Sequence, residues 1–381
     1  MKFIQKLENK FLHIISLDVP YPADYGGAID IYYRIQALHE LGYKIILHCW
    51  EYGRGEQEKL NEITHQVYYY QRKKSPLYIL SKLLLSKLPF IVISRQSDAL
   101  FNNLLGDTHP ILFEGIHTTL LLDNPRLKDR MKIVRMHNVE HDYYSALSEK
   151  SSGWKKWFYK REAKKLKEFQ PILNHANWIL AIQKKDQNYF ETFHSNVKLL
   201  PASVPPIISA PNIETQPYCL FHGNLSVQEN DSAANWILNN IASSDIKIIF
   251  AGKNPSSDLK SLALKKEVQI ISNPSESEMQ KLVSGARVHL LYTEQATGIK
   301  LKLINALSSS GHVLVNSTML EGTELNNECV VFENVEDCKI KLKTLMEKTL
   351  SATELNSRII TLQTQFNTYN NCQKVFGEIL S

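Results

Sequence analysis

Short runs of β-branched and aromatic residues alternate with longer helical patterns along this chain, and the alternation limits the possible folds more than any other feature. In the first half, a glycine pair opens the helical pattern YGGAIDIYYRIQALHELG (25–42), which stops at Gly42. The runs predicted as strands are FLHIISLD (11–18), KIILHCW (44–50), ILFEG (111–115), KIVRM (132–136) and WILAI (178–182). This β-α-β order predicts a parallel sheet whose ligand sites lie at the carboxyl ends of its strands.

A proline-rich stretch divides the pattern in two. Residues 199–217 contain five prolines and no helical period, which is typical of a hinge between domains. A helix over 231–241 is then expected, with Asp231 or Ser232 as its cap. The alternation restarts with strands predicted at YCLFHGN (218–224), IKIIFAG (246–252), EVQII (267–271), RVHLLY (287–292) and HVLVN (312–316).

Two successive Rossmann-like α/β domains, each with a doubly wound parallel sheet, account for the 381 residues. The first is predicted to span 1–205 and the second 206–364. The last segment, 352–377, is one long helical pattern. We expect it to act as a crossover helix, so that residues 365–381 pack back on the first domain.

Charge and cysteine usage narrow the class of protein. Five scattered cysteines without a C-x-x-C pair indicate reduced thiols in a cytoplasmic protein, and no apolar run reaches the length of a membrane span. The net charge of +5 matters only where basic residues cluster, as in 154–169 (WKKWFYKREAKKLKEF) and 71–90. Such basic–aromatic stretches suit a peripheral contact with anionic lipid at the inner face of a membrane. An ordinary solvated helix face fits them equally well, and no motif supports binding to nucleic acid.

The string His137-Asn138-Val139-Glu140-His141 matches H-x-x-E-H, the inverted zinc-peptidase signature. That signature requires both histidines on one face of a helix. Here the string directly follows the predicted strand 132–136, so His137 is expected to be the first residue of a loop at the carboxyl edge of a sheet. We predict a functional role for His137 and no metal ligand, with a zinc hydrolase as the less favoured alternative. Glu140 and His141 are candidates for contacts with the acceptor or for support of the loop, and neither is assigned a chemical step.

Two further stretches indicate anion binding. Gly26 and Gly27 lie between the first strand and the first helix, where glycines let a ligand approach the backbone and a helix N-terminus attracts negative charge. The pair does not form a G-x-G-x-x-G motif, and a plain tight turn explains it equally well. In 290–316, Thr297 and Gly298 open a predicted helix on which Lys302 and Asn305 share a stripe with Gly298. A cation and an amide beside a helix N-terminus suit a nucleotide diphosphate.

At this point the sequence resembles the glycosyltransferases of the GT-B fold, close to the retaining family 4 (group 1) enzymes, over nearly its full length. The segments that carry the resemblance are YPADYGGAIDIYYRIQALHELGYKI, the histidine in RMHNVEH, the FHGNLS turn and EQATGIKLKLINALSSSGHVLVNSTMLEGT. The last is the most specific of them. In the family, this region grips the nucleotide sugar.

The resemblance implies a role for each of these residues. His137 is expected near the transferred sugar and Glu294 near the sugar hydroxyls, and these two form the predicted catalytic set. Gly26 and Gly27 are expected to face the donor phosphates, and Gly223 with Asn224 to shape the phosphate wall of the second domain. The backbones of Thr297, Gly298 and Ile299 are expected to hold the diphosphate and sugar, with Lys302 and Asn305 beside them.

The implied reaction transfers a sugar from a nucleotide-diphosphate sugar to a hydroxyl of a glycan or lipid-linked acceptor, in surface polysaccharide or glycoconjugate assembly. Retention of configuration is implied by the resemblance alone. No cofactor is expected beyond the nucleotide sugar as donor substrate. The chain contains no D-x-D, which fits a metal-independent reaction in which helix termini and cations stabilise the leaving diphosphate.

Two departures from the family pattern favour a second hypothesis. Asn305 stands where the family helix usually carries a glutamate for the ribose, and an amide offers only one uncharged acceptor oxygen. The family often places an arginine and a lysine after the first strand of the second domain, whereas this segment reads GNLSVQENDS. Lys300 or Lys302 is expected to substitute. The alternative is a catalytically degenerate partner protein in a glycan-assembly complex.

Overall fold

The computed structural model describes residues 10–73, 75, 78–79, 81, 85–207, 214–243, 245–294 and 301–380. The chain forms two compact units. The first comprises the described residues of Met1–Pro205 and Asn367–Ser381, and the second those of Pro206–Phe366. No helix among the described residues is long and apolar enough to cross a membrane.

The first unit is built on a parallel sheet of seven strands in the order β3-β2-β1-β4-β5-β6-β7. Its strands are β1 (Phe11–Ser16), β2 (Lys44–Glu51), β3 (Gln66–Gln71), β4 (Ile111–Glu114), β5 (Lys132–Met136), β6 (Trp178–Ala181) and β7 (Val197–Leu199). Its helices are α1 (Gly26–Glu40), α2 (Glu58–Asn61), α3 (Phe90–Ile93), α4 (Asp98–Leu104), α5 (Glu140–Glu149), α6 (Gly153–Phe169) and α7 (Lys184–Glu191). Among the described residues, 3-10 turns lie at Ile116–Leu121, Pro125–Leu127, Gln170–His175 and, in the second unit, Asn326–Glu328.

The second unit has a parallel sheet of six strands in the order β10-β9-β8-β11-β12-β13. These are β8 (Gln216–Asn224), β9 (Ile248–Lys253), β10 (Gln269–Ser272), β11 (Ala286–Leu291), β12 (His312–Asn316) and β13 (Val330–Phe332). Its helices are α8 (Gln228–Asn240), α9 (Ser257–Lys265), α10 (Glu276–Gly285), α11 (Leu301–Leu307), α12 (Ser317–Leu320), α13 (Val335–Met346) and α14 (Ala352–Phe366).

Both sheets have the doubly wound Rossmann order. The first three strands of each unit extend the sheet in one direction, and the fourth and later strands extend it in the other direction from the first strand. The predicted fold class is therefore confirmed. All residues of β4 and β5 are buried, because strands of a parallel sheet are covered by helices on both faces. Ligands in such sheets bind at the carboxyl ends near the reversal, which lies between β1 and β4 in the first unit and between β8 and β11 in the second.

The structure corrects two helix predictions. The segment 352–377 is not one helix: α14 ends at Phe366 and a further helix, α15 (Thr368–Ile379), begins after Asn367, whose side chain caps it by accepting from the Asn370 amide. The helix expected over 231–241 begins earlier, at Gln228, so Asp231 lies in its first turn and not at its cap. The buried residues of α15 belong to the core of the first unit; they are Cys372, Val375, Phe376 and Ile379.

Candidate functional site

A histidine and a glutamate meet at the carboxyl edge of the first sheet. Glu114 is the last residue of β4, and His137 is the first residue after β5. His137 Nε2 lies 2.9 Å from Glu114 Oε2, and the two side chains are 12% and 0% exposed. Since an ionised carboxylate only accepts hydrogen bonds, this contact places a proton of His137 on Nε2. The ring is thereby fixed in orientation, with Nδ1 as its other polar atom.

Buried charges hold Glu114 and helix α1 in place. Arg34 Nη2 donates to Glu114 Oε1 at 2.6 Å, and Arg34 Nη1 donates to Asp30 Oδ2 at 2.8 Å. Arg135 Nη2 contacts Asp30 Oδ1 at 3.2 Å. We call these four residues, Asp30, Arg34, Glu114 and Arg135, the buried ion network. All four residues are buried. Their ion pairs tie the first half of α1 to the ends of β4 and β5.

Electrostatics keep both carboxylates of the network ionised. Burial alone would raise the pKa of Glu114, but Arg34 and the hydrogen bond from His137 lower that pKa overall. Burial likewise opposes ionisation of Asp30, and the nearby Arg135 and Arg34 guanidiniums outweigh it and lower the pKa of Asp30. A buried carboxylate is tolerated only when such partners compensate for its lost hydration.

The network does not suit a metal ion. Among the described residues, Asp30, Glu114 and His137 form the one group of three or more possible ligands whose donor atoms all lie within 4.8 Å of one another. Their carboxylates, however, already pair with Arg34 and Arg135. A divalent cation there would face two fixed guanidinium charges. The arrangement therefore orients a histidine and does not offer a vacant coordination sphere.

The rest of the HNVEH string lies apart from this contact. Helix α5 begins only at Glu140, so His137 and His141 do not share a helical face. His141 Nε2 lies 3.4 Å from Asp142, and its ring packs against Tyr189. Glu140 is buried, and the loss of hydration raises its pKa to about 7. The helical geometry of a zinc peptidase is thus not formed in the described stretch 137–141.

The glycine pair opens α1 as the sequence predicts. The helix begins at Gly26, which is exposed, and the N-cap residue Tyr25 makes no side-chain capping bond. Tyr25 Oη instead donates to Asp18 Oδ2 at 2.8 Å. A Cβ on Gly27 would lie 3.0 Å from the Tyr25 ring, so a larger residue there would push the ring away. The first backbone N–H groups of α1 consequently face outward without a side-chain cap, as an anion site requires.

In the second unit, two glycines bring backbones close together at the carboxyl edge. Gly223 on β8 pairs with Gly252 on β9. A Cβ on Gly252 would lie only 1.9 Å from the Gly223 carbonyl oxygen, which no side chain permits. Gly252 was not singled out in the sequence, although a glycine ending a buried apolar run signals a close backbone approach.

A lysine lies beside this glycine pair. Lys302 on α11 donates from Nζ to Asn230 Oδ1 at 2.8 Å, and Asn230 Nδ2 donates to the Asn224 carbonyl at 2.9 Å. The same ammonium lies 5.6 Å from the centroid of the Phe221 ring. Burial and the Lys302 charge lower the pKa of the adjacent His222 to about 4, so this histidine is neutral at physiological pH. Lys302 therefore supplies a positive charge beside the end of β8, and His222 adds none.

The other predicted donor residues lie around the end of β11. Glu294 is exposed and accepts from Tyr292 Oη at 3.3 Å, while the Tyr292 ring stacks on Trp236 with centroids 4.0 Å apart. Asn305 is exposed on α11. The predicted residues Thr297, Gly298 and Ile299 lie outside the described residues, which resume at Leu301.

The structure thus joins predicted residues into two separate groups, one in each unit. His137 lies with the buried ion network, and Lys302 lies with Asn224 and Gly223. The network itself was missed in the sequence. Two signals could have indicated it: the Asp30–Arg34 pair spaced four apart on a predicted helix, and Glu114 at the end of a predicted strand.

Comparisons with known proteins agree with this architecture. No protein-family model matches the chain. An uncharacterized 44.6 kDa protein in the cps region of Klebsiella pneumoniae is 28% identical in an alignment of 355 positions, covering 85% of this chain and 87% of that protein.

Solved structures align over almost the whole chain at low identity. HepE from Anabaena, in complex with UDP and glucose, has a TM-score of 0.64 and 12% identity, covering 98% of this chain and 100% of HepE. The UDP-forming α,α-trehalose-phosphate synthase of Burkholderia xenovorans, with glucose-6-phosphate, has a TM-score of 0.63, 11% identity and coverages of 98% and 100%. AviGT4, a glycosyltransferase involved in avilamycin A biosynthesis, has a TM-score of 0.57, 11% identity and coverage of 97% of both chains. The chain has the GT-B glycosyltransferase fold.

Proposed function

We propose that this GT-B chain is a glycosyltransferase that moves a sugar from a nucleotide-diphosphate sugar to a hydroxyl group of a glycan or lipid-linked acceptor. The observation that carries the proposal is the alignment of 98% of the chain with HepE, whose structure holds UDP and glucose. The relative from a cps region supports a role in assembling a surface polysaccharide or glycoconjugate. Fold alone does not specify chemistry, so the proposal also rests on the charges and glycines at each sheet edge.

We assign the donor to the carboxyl edge of the second unit. Gly223 and Gly252 let β8, β9 and the Asn230 side chain pack closely there, and Asn230 holds Lys302, which supplies a positive charge for the donor phosphates. Departure of the nucleoside diphosphate places negative charge on its phosphates, which a fixed ammonium stabilises without reorganisation. In this assignment Glu294 binds sugar hydroxyls, Asn305 accepts from the ribose, and the backbone of Thr297, Gly298 and Ile299 binds the diphosphate.

His137 is proposed to bind the transferred sugar. Its ring is held by Glu114 at 2.9 Å, so Nδ1 has a fixed direction in which to form a hydrogen bond with a sugar hydroxyl. Gly26 and Gly27 offer the uncapped N-terminus of α1 to donor phosphates. We propose a retaining, metal-independent reaction, and no side chain is assigned as a nucleophile.

A nucleotide-sugar panel tests the proposal directly. Thermal unfolding is followed with UDP-, GDP- and dTDP-sugars, because a ligand that binds only the folded state raises the unfolding midpoint. We expect one nucleotide class to stabilise the protein. Lys302→Ala is expected to weaken that binding about tenfold, as loss of a charge-assisted contact does, whereas Lys260→Ala on the exposed face of α9 leaves it unchanged. Absence of binding to every nucleotide sugar would overturn the proposal.

His137→Ala separates sugar binding from nucleotide binding. The variant is expected to lose about tenfold to a hundredfold in kcat/KM for transfer, since one hydrogen bond to the sugar disappears. Its affinity for the free nucleoside diphosphate is expected to stay that of the wild type. Equal transfer rates in variant and wild type would remove His137 from the site.

A catalytically degenerate partner protein is the second candidate, favoured by one observation. Asn305 lies exposed on α11 where the resembling family carries a glutamate, and it brings no charge to a ribose. This candidate predicts that a nucleotide sugar binds but is neither transferred nor slowly hydrolysed. Asn305→Glu would then raise donor affinity, and wild-type turnover with any acceptor would exclude the degenerate protein.

We also propose a peripheral contact with the inner face of a membrane, through α6. Trp154 and Trp157 on this helix are 58% and 39% exposed, and their rings stack with centroids 4.6 Å apart. Lys155, Lys156, Lys160 and Lys164 are exposed around them. Exposed indole rings surrounded by ammonium groups are suited to the headgroup region of an anionic bilayer. The other basic stretch, 71–90, is only partly described and is not needed for this contact.

Vesicle sedimentation tests the membrane contact. The protein is expected to sediment with vesicles of phosphatidylcholine and phosphatidylglycerol and not with phosphatidylcholine alone. Lys155→Glu combined with Lys156→Glu should abolish sedimentation, whereas Lys339→Glu on α13 should not. Sedimentation that is unaffected by the double change would disprove a contact through α6.

A further inference from the structure

Two arginines lie at the carboxyl edge of the first sheet outside the buried ion network. Arg72 directly follows β3, and Arg95 follows α3. Arg95 donates from Nη2 to the Leu17 carbonyl, just after β1, at 3.0 Å. Since β3, β2, β1 and β4 are neighbours in a parallel sheet, these residues share one edge with Glu114 and His137. We call Arg72 and Arg95 the arginine pair.

The guanidinium of Arg72 is oriented before any ligand arrives. It lies between two rings, 5.2 Å from the centroid of Tyr52 and 5.8 Å from that of Phe90. Its Nε donates to Ser94 Oγ at 3.0 Å. Aromatic stacking and one hydrogen bond fix the plane of the fork while its terminal nitrogens, Nη1 and Nη2, are left to other partners. Such a fork is matched in geometry to a phosphate or a carboxylate.

Arg95 brings a second, buried charge. The residue is 4% exposed, and its hydrogen bonds go to the backbone carbonyls of Leu17 and Ile91. Burial lowers the pKa of Arg95 to about 9, with the Arg72 charge as the next cause, so the Arg95 guanidinium remains charged at neutral pH. Because these two like charges repel each other, an anion bound by the pair stabilises the folded protein.

The carboxylates near this edge are occupied by other donors. Asp18 accepts from the Val19 amide and from Tyr25 Oη. Glu51 accepts from the amides of Gly53 and Gly55 and from Gln71 Nε2. Within the described part of the chain, no carboxylate forms an ion pair with either member of the arginine pair. The described carboxylates Asp18 and Glu140 act on Arg95 through their charges without pairing with it directly, so the terminal nitrogens of Arg72 stay available to an anion.

A neutral histidine completes this edge. His117 follows β4, and burial, reinforced by the charges of Arg95 and Arg72, lowers its pKa well below the usual range. Its Nδ1 is buried without a hydrogen-bond partner among the described residues. The histidine adds a polar group but no positive charge, so the charge of the edge rests on the arginine pair.

We propose that the arginine pair is a subsite for a phosphoryl group carried by the acceptor. The inference deepens the proposed function, on which it rests for the identity of the ligand as an acceptor. Arg72 binds the phosphoryl oxygens through its fork, and Arg95 stabilises the dianion electrostatically from beneath. The acceptor is then a phosphorylated sugar or a phosphate-linked lipid, both of which present the same group.

Titration of the full-length protein with inorganic phosphate at fixed ionic strength tests the subsite. Arg72→Gln is expected to weaken phosphate binding tenfold or more, about the effect of losing one strong charge-assisted contact. Arg72→Lys should recover part of the affinity, since the charge returns without the fork. The matched control is Arg126→Gln, an exposed arginine 5.3 Å from the Phe101 ring, which should bind phosphate as the wild type does. Arg72 is only half-buried, so its replacement is expected to leave the unfolding midpoint near that of the wild type.

Further ligands identify the source of the phosphoryl group. Tighter binding of farnesyl diphosphate than of glucose 6-phosphate supports a lipid-linked acceptor, and the opposite order supports a soluble phosphosugar. Either order requires that Arg72→Gln weaken the binding. Equal phosphate affinity in the Arg72→Gln and Arg126→Gln proteins would overturn the proposal, as would glucuronate binding more tightly than phosphate.

Two variants distinguish a failure of the arginine-pair subsite from a failure of the proposed glycosyltransferase function. Lys302→Ala should leave phosphate binding at the arginine pair unchanged, and Arg72→Gln should leave UDP binding unchanged. Loss of phosphate binding in Lys302→Ala would place the ion at the second unit and overturn the subsite. If no nucleotide sugar binds but phosphate still depends on Arg72, the glycosyltransferase assignment fails and the anion subsite remains.

Discussion

The two units share one strand order but build the edges of their sheets by different means. In the first, buried charges lie under His137 and fix it through Glu114. In the second, paired glycines let β8 and β9 approach closely, and Lys302 is held by the amide of Asn230. The first edge fixes a side chain through buried charges, whereas the second fixes one through a neutral amide beside closely packed backbones. The four predictions below test that difference, beginning with the largest expected effect.

Removal of Asp30 should be the most damaging change. Asp30→Ala leaves Arg135 buried without a carboxylate partner and Arg34 with Glu114 alone, and should lower the free energy of unfolding by about 3–5 kcal/mol. Urea unfolding of the wild type and the variant measures this loss in the free energy of unfolding. Glu62→Ala, which removes the exposed pair with Lys59, should cost less than about 1 kcal/mol. Similar costs for the two changes would mean that the network does not fix the first edge.

Glu140 should make the first unit less stable as pH rises. Burial raises its pKa to about 7 in the folded protein, from 4.5. The folded protein therefore holds a proton that the unfolded chain has released, so stability falls between about pH 4.5 and 7, by on the order of 3 kcal/mol. Glu140→Gln should remove this dependence.

The measurement is the difference in unfolding free energy between wild type and Glu140→Gln at pH 5, 6, 7 and 8. The variant should gain relative to the wild type as pH rises. The exposed Glu149, at the end of α5, serves as the control, and Glu149→Gln should show a flat difference. A flat difference for Glu140→Gln as well would contradict the desolvation of Glu140.

A methyl group at Gly252 should damage the second edge. Its Cβ would lie 1.9 Å from the Gly223 carbonyl, so β8 and β9 must separate, at a cost of about 1–3 kcal/mol. Chemical unfolding measures the cost, and donor titration should show weaker binding. Gly377→Ala in α15 has the opposite expectation, because nothing lies within 4 Å and alanine favours a helix by up to about 1 kcal/mol. Tolerance of alanine at both positions would disprove the close approach.

The smallest effect is expected from Asn230, which holds Lys302. Asn230→Ala removes that one hydrogen bond, worth about 1 kcal/mol, and should weaken nucleotide-diphosphate binding roughly fivefold. Asn240→Ala, at the end of the same helix, is the control for helix stability. Binding unchanged in both variants would mean that Lys302 needs no positioning, which would sharpen the contrast with the tightly held His137.

The sequence predicts the architecture because the apolar runs that form the central strands are buried on both faces. Three outermost strands of the sheets were not predicted, because their residues are less buried or their runs are too short. In QVYYYQ (66–71) only Tyr70 is buried, and VKL (197–199) and VVF (330–332) are too short to show a period. Asn367 separates α14 from α15 through a capping hydrogen bond. In the sequence, nothing distinguishes this asparagine from the others.

The sites are less readable from the sequence than the fold. His137 could be placed at a sheet edge because a strand precedes it. Its partner Glu114 lies 23 residues away, and Arg34 lies 80 residues from Glu114. Lys302 and Asn230 are separated by 72 residues. Without the pairing of strands, no local pattern joins such residues, so the chemistry depends on contacts that only the folded chain creates.

Helix α15 links the order of synthesis to the order of folding. Cys372, Val375 and Phe376 fill part of the first core, against residues of β1 and α1 that were made more than three hundred residues earlier. The first core therefore stays incomplete while the whole second unit is translated, and the domain made first becomes the one finished last. A chain that stalls before residue 372 would expose the apolar surface of α1, which makes it recognisable to chaperones and proteases as unfinished.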